Sequence, residues 1–192
     1  MIGLYRDLII ESVRQPTEAA RRVFAANLSR EILWTGLALA VVLSTLIYAL
    51  SLVIFPPHPS TPLVLSPTTM LIMLASGMTI FVFALFWGGR AMGGKEGRFG
   101  DVLASVTWLQ FLHLAVQGAA LVVMFVSPYL ASLGVFAANL FGIWILAHFL
   151  NEAFRFGALS KAFFLLVATV MGLAIGLTLF LTAIGVAAVG IS

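Results

Sequence analysis

Ile32 to Gly89 reads ILWTGLALAVVLSTLIYALSLVIFPPHPSTPLVLSPTTMLIMLASGMTIFVFALFWGG, 58 residues without one Asp, Glu, Lys or Arg. A helix crossing a hydrocarbon core of about 30 Å needs about 20 such residues, so the run holds two crossings and a connection. The connection is Phe55-Pro56-Pro57-His58-Pro59-Ser60-Thr61-Pro62, because proline lacks a backbone donor and clashes with the preceding helical turn. It separates a span over about 32–54 from one over about 68–87. Two more uncharged runs follow, Val102 to Asn151 and Ala162 to Ser192. Ser127-Pro128-Tyr129 divides the first into spans over about 102–126 and 130–150, and the second supplies a fifth over about 162–184. The reading is an all-α polytopic membrane protein, a bundle of five transmembrane helices preceded by short amphipathic N-terminal helices.

Composition agrees with this. Of 192 residues, 62% are hydrophobic and 9% charged, with a mean hydropathy of +1.14. A soluble domain carries roughly 25% charged residues, so this chain could not cover a water-facing globule. The absence of cysteine excludes disulfides, thiolate metal sites and cysteine nucleophiles. The charged residues fall in three segments, Arg6 to Glu31, Arg90 to Asp101 and Glu152 to Lys161. Five crossings put all three on one side and both proline turns on the other. Lys and Arg accumulate in short cytoplasmic loops, which predicts a cytoplasmic N-terminus and an outer C-terminus. The net charge of +3 then belongs to a membrane face and not to a nucleic-acid surface. Trp34, Trp87 and Tyr129 sit where interfacial aromatics belong.

Residues 1–31 form the first division of the chain and 32–192 the five-span domain. Nine charges run through the first segment and no apolar core precedes a cleavage site, so it is expected to stay attached and not to act as a signal peptide. Asp7, Glu11 and Arg14 recur opposite Tyr5, Leu8, Ile9 and Val13, and Pro16 opens a second short helix. Both helices are expected to lie on the inner surface, with a Glu18–Arg22 pair at i, i+4 and Ala19, Ala20, Val23 and Phe24 dipping into the headgroups. Arg21 and Arg22, with Arg90, Lys95 and Arg98 of the next charged segment, are the candidates for contact with anionic lipid or a membrane-protein partner. Each such cation contributes about 1 kcal/mol near an anionic surface.

Polar residues at bilayer depth need partners. Gln110, His113 and Gln117 are spaced i, i+3, i+7, one stripe on the third span. Two readings apply: interhelical hydrogen bonding, or a proton- or solute-handling line centred on His113, whose imidazole titrates near neutral pH. His148, Glu152 and Arg155 share a face at the inner end of the fourth span, an interfacial cluster that would terminate the helix. Gly134, Ala138 and Gly142 on the fourth span and Ala168, Gly172 and Gly176 on the fifth follow the small-xxx-small pattern that lets backbones approach. Tight packing of these two helices is expected, within one chain or in a homo-oligomer. No GxSxG, HExxH or P-loop occurs, and His58, His113 and His148 fall at three different depths. No catalytic residue, cofactor or metal is assigned. The glycine-rich run Gly88 to Gly97 follows a membrane helix and not a strand, which argues against a phosphate cradle.

Gly93-Gly94-Lys95-Glu96-Gly97-Arg98-Phe99-Gly100-Asp101-Val102-Leu103-Ala104 resembles the segment of Yip-family membrane proteins in which a glycine-rich inner loop leads through an aromatic residue into a helix. The five spans, inner N-terminus and outer C-terminus, and Arg14-Gln15-Pro16-Thr17 ahead of the Trp34 span, are similar to small bacterial members, which implies a place in a bacterial inner (plasma) membrane. Val106 to His113 lacks the tyrosine and proline that the family often carries there. Gly3-Leu4-Tyr5-Arg6-Asp7 does not match the Asp-Leu-Tyr-Gly-Pro motif of eukaryotic relatives, so their GTPase binding is not carried over. The resemblance implies a non-enzymatic protein that organises or recruits membrane partners. The alternative is a small-solute or proton-coupled transporter using Gln110, His113 and Gln117.

Overall fold

A computed structural model describes residues 2–56 and 64–189, so His58 lies outside the described residues. The elements among these are seven helices: α1 (Ile2–Arg14), α2 (Pro16–Ala25), α3 (Arg30–Ile54), α4 (Pro67–Ala91), α5 (Phe99–Met124), α6 (Pro128–Phe154) and α7 (Leu159–Val189). The last five are long and apolar enough to cross a membrane. A 25-residue helix such as α3 rises about 38 Å. The chain is an all-helical integral membrane protein.

Serine caps and first-turn prolines set the helix starts. Ser29, Ser66 and Ser127 each accept a hydrogen bond from the backbone N–H three residues on, at 3.3, 3.1 and 3.3 Å. Pro16, Pro67 and Pro128 occupy first-turn positions, where a missing N–H costs nothing. Pro128 therefore opens α6, in addition to ending what precedes it. α4 continues past Trp87 through Gly88, Gly89 and Arg90 to Ala91.

α5 is central, packed most extensively against α3 and α6, while α7 lies against α4 and α6. The main core takes Leu33 and Leu37 from α3, Val82 and Leu85 from α4, Val102, Leu103, Ala104 and Val106 from α5, Leu146, Ala147, Leu150 and Phe154 from α6, and Ala162, Leu165 and Leu166 from α7. Every one of these lies in the half of its helix nearer the charged residues. The bundle is thus closely packed at its charged end and looser at the far end.

The N-terminal helices dock on the bundle. Ala19 and Ala20 of α2 are fully buried against Ile145 and Phe149 of α6, with Val23 and Phe24 packed around them. This corrects the expectation that Ala19 and Ala20 dip into headgroups: alanines at 19 and 20 give α2 a flat face that fits a neighbouring helix closely, while Val23 and Phe24 stay half-buried beside it. In α1, Ser12 is fully buried and its Oγ accepts from Trp108 Nε1 at 2.9 Å.

Candidate functional site

The charged end of the bundle is organised around Phe154. At the foot of α6, Arg155 adopts a left-handed conformation (φ +50°), and the Phe156 N–H returns to the Asn151 carbonyl at 3.2 Å. The helix stops there, and the Phe154 ring is driven into the α4–α5 connection, where it is 2% exposed. Three glycines make room for it. A Cβ at Gly89 or Gly97 would fall on the ring, and one at Gly94 would sit 2.7 Å from Phe154 Cδ1. The loop is drawn closed by Gly94 N–H to the Gly89 carbonyl (2.9 Å) and Gly97 N–H to the Gly94 carbonyl (3.1 Å), with Gly93 at φ +95°. Phe156 stacks on Phe154 with centroids 5.2 Å apart. The glycine-rich run is a collar for an aromatic ring.

Ion pairs fix the surrounding pieces. Arg155 Nη1 donates to Glu96 Oε2 at 2.9 Å, tying α6 to the loop. Arg21 Nε donates to Glu152 Oε1 at 2.9 Å, tying α2 to α6, and Nη1 reaches Glu18 at 3.1 Å. The hydrogen bond to Glu152, then the Glu152 and Glu18 charges, push the Arg21 guanidinium above its ordinary range. Arg22 pairs with Glu11 at 2.9 Å. The expected Glu18–Arg22 pair is therefore replaced, because Arg21 takes Glu18 and Arg22 turns to α1. Arg98 grips Asp101 with two hydrogen bonds, 3.0 and 3.1 Å, which raise its pKa in the same way.

The five cations expected on lipid or a partner thus divide. Arg21, Arg22 and Arg98 already face carboxylates. Arg90 and Lys95 are exposed and make no ion pair among the described residues. Arg90 lies 5.5 Å from the Phe86 ring centroid, and Arg30 the same distance from Phe99. Phe86 and Phe99 meet edge to face, and Trp34 and Phe83 complete this aromatic patch. His148, Glu152 and Arg155 do not bond one another: the His148 Nδ1 lies 3.0 Å from the Trp144 carbonyl of its own helix, while the other two reach α2 and the loop.

The third-span stripe also separates. Gln110 is buried and its Nε2 donates to Ser44 Oγ of α3 at 3.4 Å. His113 lines a cavity on the α6 side beside Phe141, with Ile9 and Val13 of α1. Gln117 lines a different crevice, shared with α3, α4 and α6. Small changes of azimuth along α5 deliver neighbouring polar residues to different helix pairs. Of the small residues, Gly134, Gly172 and Gly176 face open space, and Ala168 is exposed. A Cβ at Gly142 would lie 3.6 Å from Leu109 of α5, an ordinary contact, and Ala138 lines the His113 cavity. The close α6–α7 approach expected at these positions is not formed there; α7 instead packs Leu165 over Gly88 of α4, where an added Cβ would fall 2.8 Å from Leu165 Cδ1. Sequence reading missed Phe154, Ser12, Ser44 and Trp108. An aromatic between Glu152 and Arg155, level with a glycine run, was the available signal for the first.

No cluster of three or more metal-ligand side chains occurs among the described residues. A family model described as the Yip1 domain matches residues 10–188, from α1 into the last residues of α7. No curated protein and no solved structure matches the chain.

Proposed function

The chain belongs to the Yip1 domain family, and from that premise we propose that it is a non-enzymatic membrane protein that organises or recruits membrane partners through its charged face. One observation carries the reading. The charged end is a packed platform: Ala19 and Ala20 seat α2 on α6, the Phe154 collar seats the loop, Arg21–Glu152 and Arg155–Glu96 bridge the same pieces at the surface, and Arg90 and Lys95 face no carboxylate among the described residues. A preformed surface loses little freedom on binding, which suits recruitment. Lys and Arg distribution favours a cytoplasmic position for this face, where anionic lipid headgroups would join a protein partner in contacting Arg90 and Lys95.

The transport reading needs polar side chains that converge. Gln110 and His113 serve different helix pairs, which favours the platform. Crosslinking in native membranes, followed by mass spectrometry of co-purifying protein, tests the proposal. Recovery of a near-stoichiometric partner should be lost when Arg90 and Lys95 are replaced by glutamate while the chain still inserts. Undiminished recovery from the double variant, or a chain that comes down alone, would overturn it.

A further inference from the structure

α1 meets the bundle well inside the line of charges. Its Ser12 Oγ accepts from Trp108 Nε1 at 2.9 Å, and Trp108 stands seven residues beyond Asp101, the last charged residue of α5. Seven residues of helix rise about 10 Å. α6 gives the same depth. Ile9 and Val13 line a cavity with Phe141 and Ile145, and Ile145 stands seven residues before Glu152, the first charged residue of that helix. Two neighbouring helices thus place the second half of α1 about 10 Å inside their nearest charged residues. A helix resting on the membrane surface would lie level with those charges.

The sides of α1 divide to match. Ser12 is fully buried, and Leu8 packs against the cluster of Ala19, Ala20, Ile145 and Phe149. Glu11 turns to Arg22 of α2 at 2.9 Å, so its charge is matched. Ile9, Ile10 and Val13 are left over, 40, 42 and 46% exposed. At 3.6 residues per turn they fall within one arc of about 100° on the helix surface. Three large aliphatic side chains on one side of a short helix need an apolar neighbour. At this depth the surrounding medium is the hydrocarbon of the bilayer, and an interfacial amphipathic helix buries its apolar side about 5–10 Å into that boundary.

We propose that α1 is an anchor sunk into the leaflet on the charged side, with Ile9, Ile10 and Val13 embedded among its acyl chains. α2 packs its flat face on α6, and α1 is the helix that meets lipid. The anchor uses neither Arg90 nor Lys95, so it stands or falls separately from recruitment by that surface.

The chain has no cysteine, so a spin label can be placed at one position at a time. Ile10→Cys and Val13→Cys are labelled in the full chain, with Val170→Cys, 54% exposed in the middle of α7, as the lipid reference and Lys95→Cys as the water reference. Each chain is reconstituted in vesicles of phosphatidylethanolamine and phosphatidylglycerol. Collision of the label with oxygen, which concentrates in hydrocarbon, is compared with collision with a water-soluble nickel chelate. The oxygen-to-nickel ratio at both α1 positions should match Val170 and exceed Lys95 several-fold. A ratio like that at Lys95 would put this side of α1 in water and overturn the proposal. Low collision with both reagents would mean that a second copy of the chain covers it, and would overturn the proposal as well. Both labels sit on exposed positions, and agreement between them guards against a local disturbance at either.

Discussion

The ring of Phe154, in the last turn of α6, occupies the space that any side chain at Gly89 of α4 would require. Gly89→Ala should therefore force the ring or the helix to move, with a loss of about 1–3 kcal/mol, typical of an overfilled core. Thermal unfolding in detergent, read by size-exclusion chromatography, should show a lower Tm, and Phe154→Leu in the same chain should restore part of it. Gly134→Ala and Gly172→Ala are the contrast, because a Cβ at either meets nothing within 4 Å. A Gly89→Ala protein as stable as these two would remove the collar as a structural element.

The Trp108–Ser12 hydrogen bond is the one polar tie by which α1 is held to α5 among the described residues. Ser12→Ala leaves the indole N–H without its acceptor in a half-buried site, at a cost of about 1–3 kcal/mol. Trypsin should cut after Arg14 faster in Ser12→Ala than in the native chain, and Ser12→Thr should recover protection. Unchanged cleavage would mean that apolar contact alone holds α1.

The raised pKa of Arg21 has a definite sign. A base whose pKa is lifted on folding stabilises the folded arrangement fully below its unfolded pKa, and that share is lost only as pH rises through the folded value. For an arginine, that loss lies beyond any ordinary buffer, so the tie between α2 and α6 is insensitive to pH in use. Arg21→Lys brings the window down toward the ordinary lysine pKa of about 10.4. Spin labels on α2 and α6 should keep their separation from neutral into alkaline buffer in the native chain, and move apart near that pH in the variant. A variant that behaves like the native chain would show that Ala19 and Ala20 suffice for docking.

Gln110 and His113 should respond differently to leucine. Gln110→Leu removes the link to Ser44, worth about 0.6 kcal/mol and up to roughly 2 for an interhelical bond in a membrane. His113→Leu removes no hydrogen bond found among the described residues, so its Tm should match the native protein. Proton flux into vesicles should be equal with and without His113. Flux that disappears in His113→Leu would revive the transport reading.

The architecture was legible in the sequence because charge and length act locally. Residues such as Arg90 and Glu152 mark the ends of crossings wherever they pack, and Ser127-Pro128 carries its own cap and first turn. What depended on contacts between helices was not legible. Glu18 has Arg22 in reach at i, i+4, yet Arg21 takes it because Glu152 of α6 holds that guanidinium in place. Gly172 and Gly176 have the spacing of a packing face, but α7 turns that face outward and uses Leu165 on Gly88. Gln110 and His113 share a stripe on a helical projection and part company because α5 has neighbours on two sides. The glycine run was visible, while the ring that fills it comes from a distant part of the chain.

That distance imposes an order on biogenesis. The loop between α4 and α5 reaches its final shape only when Phe154 arrives, and Phe154 leaves the ribosome after both α5 and α6 have been made. Until then three glycines surround an unfilled space, and only the loop's own hydrogen bonds and the Phe83 and Phe86 contacts with Phe99 relate α5 to α4. The first four membrane helices are therefore committed together, by the last aromatic residue of the fourth, and a nascent chain halted before it would hold its crossings without their arrangement.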